Sequence, residues 1–154
     1  EIVVKKAPGG GTTLTAALIM GEQVTLAHVG DSRAYFIYED QIQLLTQDHT
    51  LVHRLVELGQ LSEEQAKVYP QRNVVYRAIG QLEPFTPDIH THMFPRHGYL
   101  LVCSDGLWGC VADEEMKRIV KQNPDPSMAC HRLVDAANLA GGPDNISAIL
   151  VKHL

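Results

Sequence analysis

Cysteine is scarce in this 154-residue chain, and the three present, Cys103, Cys110 and Cys130, contain no Cys-x-x-Cys pair. An odd, unpaired set excludes a closed disulfide framework and a zinc knuckle, and it points to a reducing, cytoplasmic setting. Positive charge is short as well: 13 Lys and Arg stand against 18 Asp and Glu, a net charge of −5. That balance excludes proteins that follow a phosphate backbone with a strongly basic face, so no nucleic-acid partner is expected. No apolar run approaches the roughly 18 to 20 residues of a membrane span, and residues 1–8 lack the layout of a signal peptide. Repeats, low-complexity tracts and an initiating methionine are missing too, the last suggesting a piece of something longer. With 45% hydrophobic residues, the expectation is one globular domain over 1–154.

What the chain does have is three aspartates, each in a tight turn at the end of an apolar stretch: Asp31 in Gly30-Asp31-Ser32-Arg33, Asp105 in Cys103-Ser104-Asp105-Gly106, and Asp144 in Gly142-Pro143-Asp144-Asn145. Oxygen-only ligands suit hard cations such as Mg²⁺ or Mn²⁺. If the three converge without a cation, mutual repulsion must raise at least one pKa. The neighbouring glycines allow backbone to approach an ion closely. Any one Asp beside Gly is ordinarily only a turn.

Segments 13–20, 23–29, 33–39 and 41–46 read as four short strands of an antiparallel meander, the first two joined by a Gly21-Glu22 hairpin. Leu51, Val52, Leu55, Val56 and Leu58 then fall at helical spacing, with Thr50 as cap and Gly59 as stop. Ser62-Glu63-Glu64-Gln65 has the form of a capping box for a second short helix. Residues 69–81 lack a period and read as an irregular surface excursion. Strands are expected at 85–94 and 99–104, the latter buried on both faces. Helices are expected from an Asp113 cap to about 122 and from Asp125-Pro126 to 141, and a last strand over 146–154. This order lacks strict β-α alternation and indicates an α+β layered sandwich of antiparallel sheets.

Five ordered segments carry a resemblance: Gly11-Thr12-Thr13-Leu14, Val29-Gly30-Asp31-Ser32-Arg33-Ala34-Tyr35, Leu45-Thr46-Gln47-Asp48-His49-Thr50, Cys103-Ser104-Asp105-Gly106-Leu107 and Gly142-Pro143-Asp144-Asn145-Ile146. From about Gly9 to Val151 they resemble the metal-dependent PPM/PP2C protein serine/threonine phosphatases, the bacterial branch most closely. The resemblance implies an α-β-β-α sandwich, incomplete here at its N-terminus, with two Mn²⁺ or Mg²⁺ ions at one end and a weaker third in bacterial members. By motif, Asp105 and Asp144 would bind the second ion, and Asp31 with Asp105 the third. Segment 58–81 would be the flap beside the active site, with Arg72 and Arg77 as candidate substrate contacts.

The implied reaction is direct hydrolysis of phosphoserine or phosphothreonine by a metal-activated water, without a covalent phosphoenzyme, on phosphoproteins supplied by a Ser/Thr kinase. Missing against the family pattern are its phosphate-binding arginine, the Glu-Asp pair after it, and the Asp-Gly-Met-Gly-Gly segment whose aspartate bridges the metals. The isolated chain is therefore expected to be inactive, to need its N-terminal segment, and to expose sheet edges and apolar faces. A rival is a non-catalytic PPM-like module that binds a partner or phosphoprotein; a Ca²⁺-binding domain ranks last, for want of a D-x-D-x-D-G loop. Gly9-Gly10-Gly11-Thr12-Thr13 lacks the lysine of a phosphate-binding loop.

Other residues have plainer readings. His49 and His53, four apart on the expected helix, favour capping or surface roles, and His90 and His92 a solvated strand face. His28 reads as a hydrogen-bonded core or edge residue, Arg33 as the partner of a carboxylate, Trp108 as packing, and Cys103 and Cys130 as inert packing residues.

Overall fold

In the computed structural model, which describes residues 6, 9–80 and 86–154, two antiparallel sheets lie face to face. One has the order β1 (Leu14–Met20), β2 (Gln23–Val29), β5 (Asp88–Met93); the other has β4 (Gln41–Leu44), β3 (Arg33–Tyr38), β6 (Tyr99–Cys103), β7 (Ala148–Lys152). The hairpin register Met20↔Gln23 leaves Gly21 and Glu22 as the two-residue loop, with Gly21 at φ 57°. Positive φ at the first loop position matches the strand twist, as the sequence predicted.

The meander is only half realised. Strands β2 and β3 do not pair; the Gly30-Asp31-Ser32 turn, with Gly30 at φ 113°, carries the chain from one sheet to the other. The reason is packing: Val24 and Leu26 of β2 meet Ala34 and Phe36 of β3 across the inter-sheet core, with Leu100 and Phe94. The other face of the four-stranded sheet, through Tyr35, Ile37, Leu101 and Cys103, packs against helices α4 (Asp113–Gln122) and α5 (Pro126–Leu139). Alternate residues of β6 thus enter two different cores, which explains its unbroken apolar run.

Asp125 caps α5 as expected, its carboxylate accepting from Ser127 N and Met128 N, with Pro126 in the first turn. Asp113 does not cap α4; Ala112 holds that position and Asp113 lies in the first turn with Glu114 and Glu115, where acidic groups favour the helix N-terminus. Strand β5 starts at Asp88, after Pro87, which has no N–H for the ladder. The expected start at Phe85 falls outside the described residues, as does Gln81.

The outer face of the three-stranded sheet is open. Leu14, Leu18, Met20, Ile89 and Met93 alternate onto it and are each half exposed or more. The described residues therefore form three layers, helix–sheet–sheet, and the apolar face expected from the sequence lies where a fourth would pack.

After β4 come α1 (Leu51–Glu57) and, within segment 58–81, α2 (Glu63–Lys67). Thr50 caps α1, and Ser62 and Gln65 form the predicted reciprocal capping box. The stretch after α2 is irregular in shape but fastened at its base: Leu51 N donates to Val74 O, Tyr76 N to His49 O, and Thr12 and Ile79 exchange two bonds.

Candidate metal centre

The strand register brings the three aspartate turns to one end of the four-stranded sheet. Arg33 pairs with Cys103, and Cys103 with Ala148. Asp31 precedes the first of these residues by two positions, Asp105 follows the second by two, and Asp144 precedes the third by four. The latter two turns are laced together: Ser104 N donates to Ser147 O, Ser104 Oγ donates to Asn145 O, and Ser147 N donates to Ser104 Oγ. Ser104 thus joins two loops instead of capping the single helical turn α3 (Asp105–Trp108). Gly106 makes this approach possible, since a Cβ there would lie 2.4 Å from Asn145 O. Each carboxylate also stiffens its own turn, Asp105 accepting from Gly106 N at 2.9 Å and Asp144 from Asn145 N at 2.7 Å.

Asp31 joins them through Trp108, whose indole N–H donates to Asp31 O at 3.0 Å. Trp108 therefore both packs and positions. Burial, then the charge of Asp105, pushes the Asp31 carboxyl up to about 6. The repulsion expected of neighbouring carboxylates contributes through Asp105, but burial is the larger cause. No three His, Cys, Asp or Glu side chains among the described residues are grouped closely enough to hold an ion by themselves. Asp144 is exposed, and the set is open on that side.

Arg33 anchors the framework as predicted. Its guanidinium forms a two-point pair with Asp48, Nε to Oδ1 at 3.0 Å and Nη2 to Oδ2 at 2.7 Å, and lies 3.6 Å from the Trp108 ring centre. Cys103 is buried and its thiol is pushed up to about 12 by that burial, so it is no nucleophile.

Two histidines behave differently from each other. His28 is buried as expected, with Nε2 on Gln47 O and Nδ1 on Thr15 Oγ1; burial, then His49, lowers its pKa and keeps it neutral. His49 corrects the sequence reading: it precedes the helix, is 3% exposed, and neither caps nor faces solvent. Its neighbours in the Asp48-His49-Thr50 motif were the only signal, since helical spacing to His53 suggested the wrong face. His90 is exposed, but His92, on the same face of β5, is half-buried with its ring edge against Phe36, so that face is not simply solvated. In segment 58–81, Arg72 is exposed, whereas Arg77 donates to Asp88 Oδ1 at 3.0 Å.

The family model for protein phosphatase 2C matches residues 4–146. The chain belongs to the protein phosphatase 2C family. Its fold is that of the S. agalactiae serine/threonine phosphatase, with TM-score 0.94 and 37% identity over 99% of this chain and 64% of that one. It is 40% identical to the serine/threonine phosphatase stp of Listeria innocua and 38% to a putative protein phosphatase 2C-type of Streptococcus pyogenes, over 94% of this chain in each case. The chain spans 58–59% of the length of these two relatives. The catalytic domain of the serine/threonine protein phosphatase PstP, solved with two manganese ions, aligns with TM-score 0.86 and 33% identity over 98% of this protein phosphatase 2C chain and 64% of that one. No described helix is long and apolar enough to cross a membrane.

Proposed function

We propose that this chain carries one side of the metal centre of a protein serine/threonine phosphatase, which removes phosphate from phosphoserine and phosphothreonine in proteins. The observation that carries this reading is the gathering of Asp31, Asp105 and Asp144 at one sheet end, with Asp31 held near 6 by burial and by Asp105. A carboxylate-only set fits Mn²⁺ or Mg²⁺ and disfavours softer metals. Asp105 and Asp144 would hold one ion, and Asp31 with Asp105 a second, weaker one. When bound, such cations acidify water and neutralise charge on a phosphoryl group.

The chain's own residues set the geometry. Gly106 and Ser104 hold Asp105 against the Asp144 loop, and Trp108 fixes Asp31 through its carbonyl. Arg72 is an exposed flap cation open to a phosphoprotein; Arg77 reaches one only by leaving Asp88. The remaining ligands would come from the N-terminal segment of the same domain, the substrate would be a product of a Ser/Thr kinase, and the setting would be the cytoplasm, in keeping with three free thiols.

The absence of a closed ion cage among the described residues also favours a second reading, a phosphoprotein-binding module without catalysis. One assay separates them: Mn²⁺-dependent phosphate release from a phosphopeptide, by the gene product that carries this chain and by the 154 residues alone. Turnover by the former, lost in Asp105→Asn, with none by the latter, supports the phosphatase. Phosphopeptide binding without turnover by either supports the module. Equal turnover by both refutes the need for further ligands.

A further inference from the structure

His49 is the joint between the flap and the turn that carries Asp31. Its backbone N–H donates to Gly30 O at 2.8 Å, and Gly30 N–H returns a bond to His49 Nδ1 at 3.0 Å. On the other side His49 Nε2 lies 3.0 Å from Asp88 Oδ2 and 3.1 Å from Arg77 Nη1. The two sides fix the ring's state. Because Gly30 N–H is a donor, Nδ1 must offer a lone pair, so the ring is neutral with its proton on Nε2. That proton is donated to Asp88 Oδ2. Arg77 donates to Asp88 Oδ1 instead, and its approach to Nε2 places two donors around one shared carboxylate. Burial raises the Asp88 pKa, but the His49 bond and the nearby positive charge outweigh it and lower the net value.

The Gly30 end is intolerant of movement. Gly30 has φ 113°, and a Cβ there would lie 2.3 Å from Thr13 Cγ2, so the turn is wedged between Thr13 and the His49 ring. The other end is held by two different elements, Arg77 in segment 58–81, between the bonded Tyr76 and Ile79, and Asp88 at the start of an edge strand. A change in flap seating that withdraws Arg77 from Asp88 reorients the carboxylate that holds Nε2–H, and hence the ring that holds Gly30.

We propose that His49 is a positioning residue that transmits the seating of the flap to the Gly30-Asp31 turn, through its ring bonded to Asp88 and Gly30. Its consequence for metal occupancy rests on the reading of Asp31 as a ligand; the mechanical link does not.

The test is amide hydrogen exchange at Gly30, followed by NMR in the 154-residue chain without metal. Removing the charged acceptor in Asp88→Ala frees Nε2 and speeds Gly30 exchange about tenfold, the usual weight of one charge-assisted bond. His49→Asn places a side-chain carbonyl near the Nδ1 position, so it keeps Gly30 exchange within about twofold of wild type while losing the reach to Asp88. In that background Asp88→Ala adds less than about twofold. An equal acceleration in both backgrounds, or none in the wild-type background, overturns the proposal. The amide of Leu133, in the helix core, reports general loosening; if Asp88→Ala speeds it, Arg77→Met decides by the same comparison. Failure of the metal assignment would leave this result standing, because no metal enters the measurement.

Discussion

Replacing Asp31 by asparagine removes a charge that the metal-free fold tolerates poorly. A carboxyl raised from 3.8 to about 6 opposes folding at pH 7.5 by at most about 3 kcal/mol. The side chain is only half-buried, so solvent screening reduces the expectation to about 1–2 kcal/mol. The sign follows from proton binding. Between about 6 and 3.8 the folded state holds the Asp31 proton more tightly than the unfolded chain, so wild-type stability rises as pH falls through that window. The Asp31→Asn variant has no such proton to bind. Urea unfolding monitored by Trp108 fluorescence without divalent cation should therefore show Asp31→Asn more stable at pH 7.5, with the advantage gone by about pH 4. Saturating Mn²⁺ should narrow or reverse the difference, because only the aspartate gains from the ion. A variant less stable than wild type at pH 7.5 without metal, or a difference flat across pH, refutes the reasoning.

Gly106→Ala drives a methyl into Asn145 O, so it should cost about 2–4 kcal/mol in urea unfolding and weaken Mn²⁺ binding by parting the Asp105 and Asp144 turns. Arg33→Met leaves the buried Asp48 carboxylate unpaired and strips a cation from Trp108; a loss of about 3 kcal/mol is expected, with a shift in Trp108 emission. Cys103, with its thiol at about 12, should resist iodoacetamide at pH 8 in the native chain and react in urea, as counted by mass spectrometry.

Most of the frame was legible because short-range chemistry decides it. The Gly21 hairpin, the Ser62-Gln65 box and the Asp125-Pro126 start each depend on neighbours within four residues. The crossing of the chain at Gly30 did not show in the pattern, since two paired hairpins and two facing hairpins have the same alternation; what separates them is the packing of Val24 and Leu26 on Phe36 and Leu100. The aspartates were legible from their turns, but their supports were not. His49 looked like a helix residue until Thr50 took the cap and turned its ring inward between Gly30 and Asp88. Trp108 announced packing, and only the meeting of two sheet ends gave its N–H the Asp31 carbonyl.

The central claim is that three turns far apart in sequence serve one metal centre, in which Asp105 is shared between two ions. Paramagnetic broadening by Mn²⁺ tests it most directly in the isolated chain. The account predicts weak binding, with dissociation constants of order millimolar for so few ligands, and selective loss of amide signals around Asp31, Asp105 and Asp144 together, abolished in Asp105→Asn. Broadening confined to other acidic surfaces, or unaffected by Asp105→Asn, would contradict it.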